Sequence, residues 1–330
     1  MLKKLDTDGL VIVTEEICQK VIDRNLAFTA VRDVFGAMAR DDAYNFPVIR
    51  EAIGHEDALY GFKSGFDKAG MVLGVKAGGY WPNNMSKGII NHQSTVFLFD
   101  PDTGKLKGLV GGNYLTAIRT AASSAVSIDQ LARKDAKVLG MVGAGHQSTF
   151  QLRAAVEQRD FEKVVCWNPH PDMIPNLGKV ADELGIPFKA VTREELGAQS
   201  DVIITITSAF EPLIAADYIK PGTHLACMGT DTKGKQEVDA ALVAKATLFT
   251  DEVAQSTTIG ETQHAIASGA ISEADVTPIG RVINGDHPGR TSEDEITLFD
   301  GTGVGLQDLA VAAVAAEQAV ATGAAQIVSL

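Results

Sequence analysis

The fold is decided by the stretch Lys137–Ser148, which reads KVLGMVGAGHQS. An apolar run ends at Gly143 and Gly145, and a polar segment able to form a helix follows. This order predicts a β-strand that turns tightly into a helix, because the first glycine can take backbone angles that other residues resist. The second glycine lets the backbone approach a phosphate at the helix N-terminus, where N–H groups and the helix dipole favour negative charge. The stretch therefore predicts a dinucleotide-binding turn, with an ordinary βα turn as the alternative.

The residues that follow favour NAD over NADP as the dinucleotide. A second apolar run, Lys163–Trp167, comes about 20 residues later, as a dinucleotide-binding βαβ unit requires. The third small position of the fingerprint is Ser148 instead of glycine or alanine. After the second run stands Asn168, where an acid would bind two ribose hydroxyls and an arginine would bind a 2′-phosphate. Because Asn168 can hydrogen-bond a hydroxyl, we expect NAD(H).

Length and composition indicate an ordinary soluble protein of two domains. The chain has 330 residues, of which 45% are hydrophobic and 22% are charged. Its formal charge of −13 would repel nucleic acids and anionic membranes, which excludes both as expected partners. Three scattered cysteines show no spacing typical of a metal site or a disulfide framework, which predicts a reducing, cytoplasmic location: Cys18, Cys166 and Cys227.

Neither end of the chain predicts a membrane segment. Residues 1–6 contain no apolar core of the length of a signal peptide. The alanine-rich tail Leu309–Val328 is interrupted by Glu317 and Gln318, which favours a packed helix over a membrane span.

The first part of the chain reads as mixed helix and strand. Thr14 is placed to cap a helix that begins at Glu15, and helical spacing of apolar residues predicts a second helix over Leu26–Arg40. A turn signal at 100–104 separates the last two strands of a predicted sheet. The predicted strands are Phe46–Ile53, Ala58–Phe66, Met71–Gly78, Ser94–Phe99 and Leu106–Val110.

The second part alternates strands and helices, which implies a parallel, doubly wound sheet. A helix over Leu115–Arg133 leads into it, and the last helix is expected to return to the first domain. The predicted strands are 137–142, 163–167, 187–191, 201–206, 223–228, 247–250 and 296–299. The sequence thus predicts an α/β fold: a Rossmann domain over 123–304, and an α+β substrate and dimerisation domain over 1–122 and 305–330.

Four basic residues lie within apolar or small-residue segments of the first domain, and charges placed there need partners if they are buried. Several such cations could converge on an anionic ligand, although each could also be a solvated or structurally paired residue. They are Arg50, Lys63, Lys76 and Arg119. For proton transfer, burial or a cationic neighbour would bring the pKa of Lys76 towards neutrality, and His92 is a second candidate.

In an open parallel sheet, ligands bind beyond the carboxyl ends of the strands. Besides the glycine turn, two loops meet this condition: Thr205–Ser208 and Met228–Asp231. Asp231 therefore stands where a nicotinamide ring or its substrate would lie, with a solvated turn carboxylate as the alternative.

Together these segments resemble the ornithine cyclodeaminase/mu-crystallin family over nearly the whole chain. The matching motifs run in order and comprise Leu73–Lys76, Asp102–Gly104, Leu115–Ala122, Gly143–Ser148, Gly229–Asp231, Gly234-Lys235, Gly260-Glu261, Pro288–Arg290 and Ile296–Asp300. The resemblance implies a homodimer that uses NAD(P) on amino or imino acids, with Arg50, Lys76 and Arg119 on the substrate carboxylate and Asp231 facing the amino or imino group.

The loops at the strand ends, Asn168 and the resemblance together predict the cofactor contacts. They are Asn91, Thr120, Gly143, Ala144, Gly145, His146, Gln147, Ser148, Asn168, Thr207, Ser208, Met228 and Gly229.

Two departures from the cyclodeaminase pattern bear on the substrate. The position 13 residues before the substrate lysine, an acid in that branch, is Lys63, which would repel ornithine and attract a second carboxylate. The usual Asp-Gly before the Leu-Thr block is Gly111-Gly112. We therefore expect an imine reductase for a small dicarboxylic 2-imino acid. The alternatives are an alanine dehydrogenase or ketimine reductase with a monocarboxylic substrate, and a non-catalytic NAD(P)-dependent binding protein such as mu-crystallin.

Overall fold

The computed structural model describes residues 7–329, so residues 1–6, for which the sequence predicts no leader, and residue 330 lie outside the described part. The chain divides into two compact units. The first comprises Met1–Arg119 and Val304–Leu330, and the second is Thr120–Gly303. Both contain helices and strands, which confirms the α/β class.

The first unit is built on one sheet whose strands lie in the order β16-β1-β7-β6-β5-β4-β2, with β3 also paired to β4. Its pairings are antiparallel except for β1 with β7. The strands are β1 (Leu10–Val13), β2 (Ala43–Asn45), β3 (Ile49–Ala52), β4 (Leu59–Asp67), β5 (Val72–Tyr80), β6 (His92–Phe99), β7 (Leu106–Gly111) and β16 (Gln326–Val328). The helices are α1 (Glu15–Val21), α2 (Arg24–Ala39), the first part of α3 (Asn113–Leu131) and α11 (Gly305–Ala321).

The helix signals read from the sequence act as expected in this unit. The Thr14 side chain accepts a hydrogen bond from Ile17 N, which confirms the cap of α1. Helix α11 packs against α2, β4 and β5, so the end of the chain belongs with its beginning. A Cβ on Gly305 would lie 2.8 Å from Ser64 N, so the missing side chain allows α11 to approach β4 closely.

The second unit is a parallel sheet of eight strands in the order β10-β9-β8-β11-β12-β15-β13-β14, which confirms the doubly wound prediction. The strands are β8 (Val138–Val142), β9 (Lys163–Trp167), β10 (Phe188–Ala190), β11 (Val202–Thr205), β12 (His224–Cys227), β13 (Thr247–Thr250), β14 (Val276–Pro278) and β15 (Thr297–Asp300). The helices are α4 (His146–Ala155), α5 (Ile174–Glu183), α6 (Arg193–Gln199), α7 (Ala240–Lys245), α8 (Val253–Ile259), α9 (Gln263–Ala267) and α10 (Ile279–Ile283).

Two predictions of secondary structure are wrong. The strand expected over Phe46–Ile53 is shorter than predicted: β3 covers only Ile49–Ala52, and a separate short strand, β2, ends before it at Asn45. Pro47 lies in the gap between them and has no N–H to donate to the ladder. The helix expected to continue to Val328 ends at Ala321. Gly323 there takes a φ of +70°, and the remaining residues form β16, which pairs with β1.

No helix in the range 7–329 combines the length and the apolar character needed to cross a membrane.

Candidate active site

Three of the predicted cations share one face of the first unit's sheet. Lys63 on β4 lies directly opposite Lys76 on β5 in the antiparallel register. Arg50 on β3 lies opposite Gly61, two residues from Lys63 and therefore on the same face. Like charges directly opposite each other destabilise a sheet, so this face requires a counter-charge.

Asp308 on α11 supplies that counter-charge. Its Oδ2 is 2.7 Å from Lys76 Nζ, and its Oδ1 is 2.9 Å from Arg119 Nε. Gln307, its neighbour, accepts a second hydrogen bond from Arg119 Nη1 at 3.0 Å. All four side chains are buried. The structure thus brings Lys76 and Arg119 together on one carboxylate, which the sequence analysis did not single out.

A signal for Asp308 was present in the sequence. It is an acid in the first turn of a helix that is otherwise almost entirely apolar, between Leu306 and Leu309. A charge in such a position is buried with the helix and must find a cation.

The surroundings of Lys76 bring the pKa of its amine close to 7. Burial lowers the pKa of Lys76, Asp308 raises it, and Arg119 and Lys63 lower it again, which leaves it at about 7. Burial alone would raise the pKa of Asp308, but Arg119 and Lys76 outweigh it and lower that pKa to about 2. The site therefore holds a permanent carboxylate beside an amine that can gain or lose a proton near pH 7.

His92 lies at the start of β6 and interacts electrostatically with the same group of residues. Burial is the main effect that lowers the pKa of His92, to about 3, and the charge of Lys76 adds to it. The imidazole is therefore neutral at pH 7, so proton donation by His92 stays a prediction that this pKa does not favour. Lys76 is the better candidate.

Asn91 precedes β6 and organises its own loop. Its Oδ1 accepts a hydrogen bond from Met85 N at 3.0 Å, and its Nδ2 donates to the Tyr80 hydroxyl at 3.1 Å. Contact between Asn91 and a cofactor stays a prediction.

In the second unit, the glycine turn has the backbone that the sequence predicts. Gly143 takes a φ of +116°, and a Cβ there would lie 2.6 Å from Ile206 O. Gly145 is the N-cap of α4, and a Cβ there would have no neighbour within 4 Å. The first glycine is therefore required by conformation and packing, while the second leaves open space in front of the helix N-terminus.

The first turn of α4 has the features of a phosphate-binding end. His146 is exposed and packs against Phe150, with ring centroids 5.3 Å apart. Ser148 is fully buried, and its Oγ has no hydrogen-bond partner among residues 7–329. An unpartnered hydroxyl beside the N–H groups of a helix start fits a dinucleotide phosphate. Gln147 lies between these two residues and is half-buried.

Asn168 has a structural task besides the one predicted for it. Its Oδ1 accepts a hydrogen bond from Ala144 N at 3.1 Å, and its Nδ2 donates to His170 O at 2.8 Å. The side chain therefore shapes the glycine turn, and a contact with a ribose hydroxyl stays a prediction. Thr120, the remaining predicted cofactor contact on α3, is buried.

The loops after β11 and β12 are tied together by Glu237, which sequence reasoning missed. Its Oε1 accepts from Thr207 N at 2.6 Å and Thr207 Oγ1 at 2.7 Å. Its Oε2 accepts from Thr205 Oγ1 at 2.6 Å and Gly229 N at 2.9 Å. A fully buried carboxylate with four donors is rigidly held, and it joins the predicted cofactor contacts Thr207 and Gly229. Ser208 and Met228 lie in the same two loops.

A second buried acid supports this arrangement. Glu261 accepts hydrogen bonds from the backbone of Glu237 and Val238, each at 2.7 Å, and from the Thr230 hydroxyl. Burial raises the pKa of Glu261 to about 8, and the nearby Glu237 adds to the effect. The loop that carries Asp231 therefore lies over two linked, buried carboxyl groups.

Asp231 is paired with a cation from its own loop. Its Oδ1 is 2.8 Å from Lys235 Nζ, which also donates to Gly229 O at 3.2 Å. The Asp231 side chain is 30% exposed, so it remains accessible.

The sequence matches the model of a known protein family, and the sequence and fold match individual members of known function. The model of the ornithine cyclodeaminase/mu-crystallin family matches residues 65–323. The iminosuccinate reductase of Paracoccus denitrificans (strain Pd 1222) is 61% identical over 321 residues, 97% of this chain and 100% of that protein. The crystal structure of the Paracoccus denitrificans enzyme in complex with NAD+ matches with a TM-score of 0.94, covering 98% of this chain and 100% of that one.

Two solved structures of lower identity also match. The Δ1-pyrroline-2-carboxylate reductase of Thermococcus litoralis, in complex with NADH and L-proline, is 27% identical with a TM-score of 0.91, covering 96% of this chain and 100% of that one. An archaeal alanine dehydrogenase, described as a dimer with bound NAD, is 29% identical with a TM-score of 0.92, covering 98% of this chain and 99% of that one.

Proposed function

Since the chain belongs to the ornithine cyclodeaminase/mu-crystallin family, we propose that it is an NAD(H)-dependent imine reductase that converts iminosuccinate to aspartate. The similarity to the Paracoccus denitrificans iminosuccinate reductase over nearly the full length of both chains supports this substrate. The observation that carries the proposal is the pairing of Lys63 with Lys76 on one sheet face, beside Arg119.

The charge of this cluster suits a dicarboxylate. Lys63, Lys76 and Arg119 carry three positive charges when Lys76 is protonated, Asp308 carries one negative charge, and Arg50 lies on the same sheet face, so the cluster has a clear excess of positive charge. Iminosuccinate with both carboxylates ionised carries −2. A monocarboxylic imino acid would offset less of this positive charge than a dicarboxylic one.

The residues divide the chemical work as follows. Arg119, Lys63 and, while it is protonated, Lys76 bind and orient the two carboxylates, since charge-assisted hydrogen bonds are the strongest such contacts that side chains make. Lys76 donates a proton to the imine nitrogen, which gives the cationic iminium and makes its carbon the better hydride acceptor. When bound, the reduced cofactor supplies the hydride that the imine carbon accepts. Asp231 is the residue proposed to stabilise the protonated imine.

The cofactor would be held by residues of the second unit. The backbone of Gly143–Gly145 and the first turn of α4 suit the phosphates, and the loops joined by Glu237 suit the nicotinamide end. The NAD+ complex of the Paracoccus denitrificans enzyme supports NAD over NADP.

The direct test is NADH oxidation with oxaloacetate plus ammonia, compared with pyruvate plus ammonia. Oxaloacetate without ammonia controls for reduction of the ketone. We expect the dicarboxylic imine to be reduced with the higher kcat/KM and aspartate to be the product. A preference for pyruvate plus ammonia would favour an alanine dehydrogenase, and cofactor binding without turnover of any imine would favour a binding protein.

Lys63→Glu tests the second-carboxylate site. Because the change reverses a charge that binds one carboxylate, we expect kcat/KM for the iminosuccinate reaction to fall by about 100-fold or more. Lys68→Glu, a charge reversal at an exposed position just beyond β4, is the matched control and should change little. Unchanged activity of Lys63→Glu with iminosuccinate would mean that Lys63 does not bind the substrate.

The chain is further proposed to form a homodimer through the first unit. Its exposed large apolar residues concentrate between positions 44 and 89, and they include Ile49 on β3 and Phe62 on β4, which lie directly opposite each other. Neighbouring apolar residues exposed on a sheet face are typical of a protein–protein contact. The archaeal alanine dehydrogenase dimer supports a second copy of this chain as the partner.

The three buried, free cysteines are compatible with the cytoplasmic location that the sequence predicts.

A further inference from the structure

Asp308 carries an inference that goes beyond the proposed function and rests on it in one respect, the use of Lys76 and Arg119 to bind substrate. Its carboxylate is fully buried, and each oxygen faces a different cation: Oδ2 faces Lys76 at 2.7 Å and Oδ1 faces Arg119 at 2.9 Å. A carboxylate that pairs with two proposed substrate-binding cations is placed to determine their geometry and their charge.

The backbone holds Asp308 in this place. At the start of α11, Gly305 packs against the backbone of Ser64, and Leu306 N donates to Asn45 Oδ1 at 3.1 Å. The helix is therefore anchored to β4 and β2, and β4 is the neighbour of the strand that carries Lys76. The position of Asp308 follows from this anchoring, since one turn of helix separates it from Gly305.

The cluster needs a negative charge to keep Lys76 protonated. The charged or titratable groups that act on Lys76 come from three other elements: Lys63 from β4, Arg119 from α3 and Asp308 from α11, while His92 on β6 is neutral at pH 7. Among them, only Asp308 favours the charged amine, because burial, Arg119 and Lys63 all favour the neutral one.

We propose that Asp308 is a positioning residue of the substrate site, which orients Lys76 and Arg119 for a carboxylate and keeps the Lys76 amine charged. It does not touch the reacting atoms. The shared carboxylate lets two cations stand side by side before substrate arrives, so that the substrate meets a prearranged site.

Loss of the Asp308 carboxylate should change how the reaction depends on pH. The pKa of Lys76 is about 7 with Asp308 present, and Asp308 raises it. Loss of this carboxylate must therefore lower the pKa of Lys76 further, so that the amine loses its proton at a lower pH than in the wild type. The damage done by Asp308→Asn should be greater at pH 8 than at pH 5.5.

The test compares Asp308→Asn with the wild type from pH 5.5 to pH 8.5, using kcat/KM with oxaloacetate plus ammonia and reporting the ratio of variant to wild type. The ratio removes the pH dependence of the substrate itself. We expect the ratio for Asp308→Asn to fall by at least tenfold between pH 5.5 and pH 8. Asp308→Glu keeps the negative charge, so we expect its ratio to stay nearly constant over this pH range. Gln307→Met is the matched control, since it removes a bond to Arg119 without changing any charge, and should give a flat ratio.

A second measurement separates this inference from the proposed function. Binding of succinate, a dicarboxylate that cannot be reduced, is measured by calorimetry for the wild type, Asp308→Asn and Asp308→Glu over the same pH range. Weaker binding by Asp308→Asn that worsens as pH rises supports the role of Asp308 even if no imine is turned over. A loss that is equal at every pH, with unchanged melting temperature and NADH binding, would overturn it. If Asp308→Asn does not fold, a pH profile of Asp308→Glu unlike that of the wild type would also overturn it.

Discussion

Opposing influences act on the pKa of the Lys76 amine, and those that lower it outweigh the one that raises it. Burial, which favours the neutral amine, is the largest influence on the pKa of Lys76, and the ion pair with Asp308 opposes it. The outcome, a pKa of about 7, suits a group that gives up a proton during each turnover near neutral pH. Arg119 pairs with the same carboxylate, and its proposed role is binding alone.

Lys76→Arg separates binding from proton transfer. The variant keeps a positive charge beside Asp308 but has no proton to donate near pH 7, so we expect kcat to fall by about 100-fold or more while KM changes by less than about fivefold. Steady-state kinetics with NADH and the preferred imine measure both constants. Lys63→Arg, which also conserves charge but at the proposed carboxylate contact, should retain most of kcat. Equal losses of kcat in the two variants would contradict the assignment of the proton to Lys76.

The two loops after β11 and β12 behave as one element because Glu237 joins them. A Cβ on Gly229 would lie 2.5 Å from Glu237 Oε1, so glycine is needed for the carboxylate to reach both loops. Two of the four hydrogen bonds accepted by Glu237 come from the backbone N–H groups of Thr207 and Gly229, and the other two come from the hydroxyls of Thr205 and Thr207. The geometry of the proposed nicotinamide end thus depends on the Glu237 side chain, which follows both loops in the sequence.

Glu237→Gln tests this link. The amide nitrogen cannot accept the hydrogen bonds that one carboxylate oxygen accepts now, so at least one loop loses its anchor. We expect the Kd for NADH to rise by about tenfold, which corresponds to about 1.4 kcal/mol, and we expect a smaller rise in melting temperature on NADH addition.

Glu295→Gln is the matched control for that variant. Glu295 accepts hydrogen bonds from Thr247 and Thr291 near the start of β13, at the opposite ends of the parallel strands from Thr205 and Cys227. The Glu295→Gln variant should be less stable than the wild type but should bind NADH with the same affinity. If NADH binds equally well to Glu237→Gln and the wild type, the link is not needed for the cofactor.

At the scale of the whole molecule, the apolar face of the first unit sets the expected assembly. Helix α11 packs on the sheet, with Leu306 near Gly65 and Leu309 near Gly74. Residues that alternate with these along the strands point to the other face, and Ile49 and Phe62 on that face remain exposed. Burial of this face by a second copy would remove the apolar surface from water.

The double substitution Ile49→Lys with Phe62→Lys tests the dimer. We expect the wild type to have twice the mass of one chain in size-exclusion chromatography with light scattering. The variant should run as a monomer, since two charges would be buried at each contact without partners. Phe210→Lys, at an exposed phenylalanine of the second unit, should stay dimeric. A monomeric wild type, or a dimeric double variant, would rule out this face as the interface.

Local patterns determined much of the fold before any tertiary contact was known. The alternation of strands and helices predicted the parallel sheet, and the two glycines of the turn predicted its backbone, as the φ of +116° at Gly143 confirms. Pro47 was equally visible in the sequence, but its effect depends on pairing with β4, which adjacent residues do not encode. The short strand β14 escaped prediction because three residues carry too little periodicity.

The sequence by itself determined the fold class, the dinucleotide turn and the basic residues suited to an anionic ligand, since these follow from backbone preference and from the chemistry of single side chains. Only the tertiary structure decided that Lys76 and Arg119 share the carboxylate of Asp308, and that Glu237 joins two loops. Asp308 lies 189 residues from Arg119 along the chain. A contact across such a separation depends on how whole elements pack, and the protonation of Lys76 depends in turn on that contact and on burial.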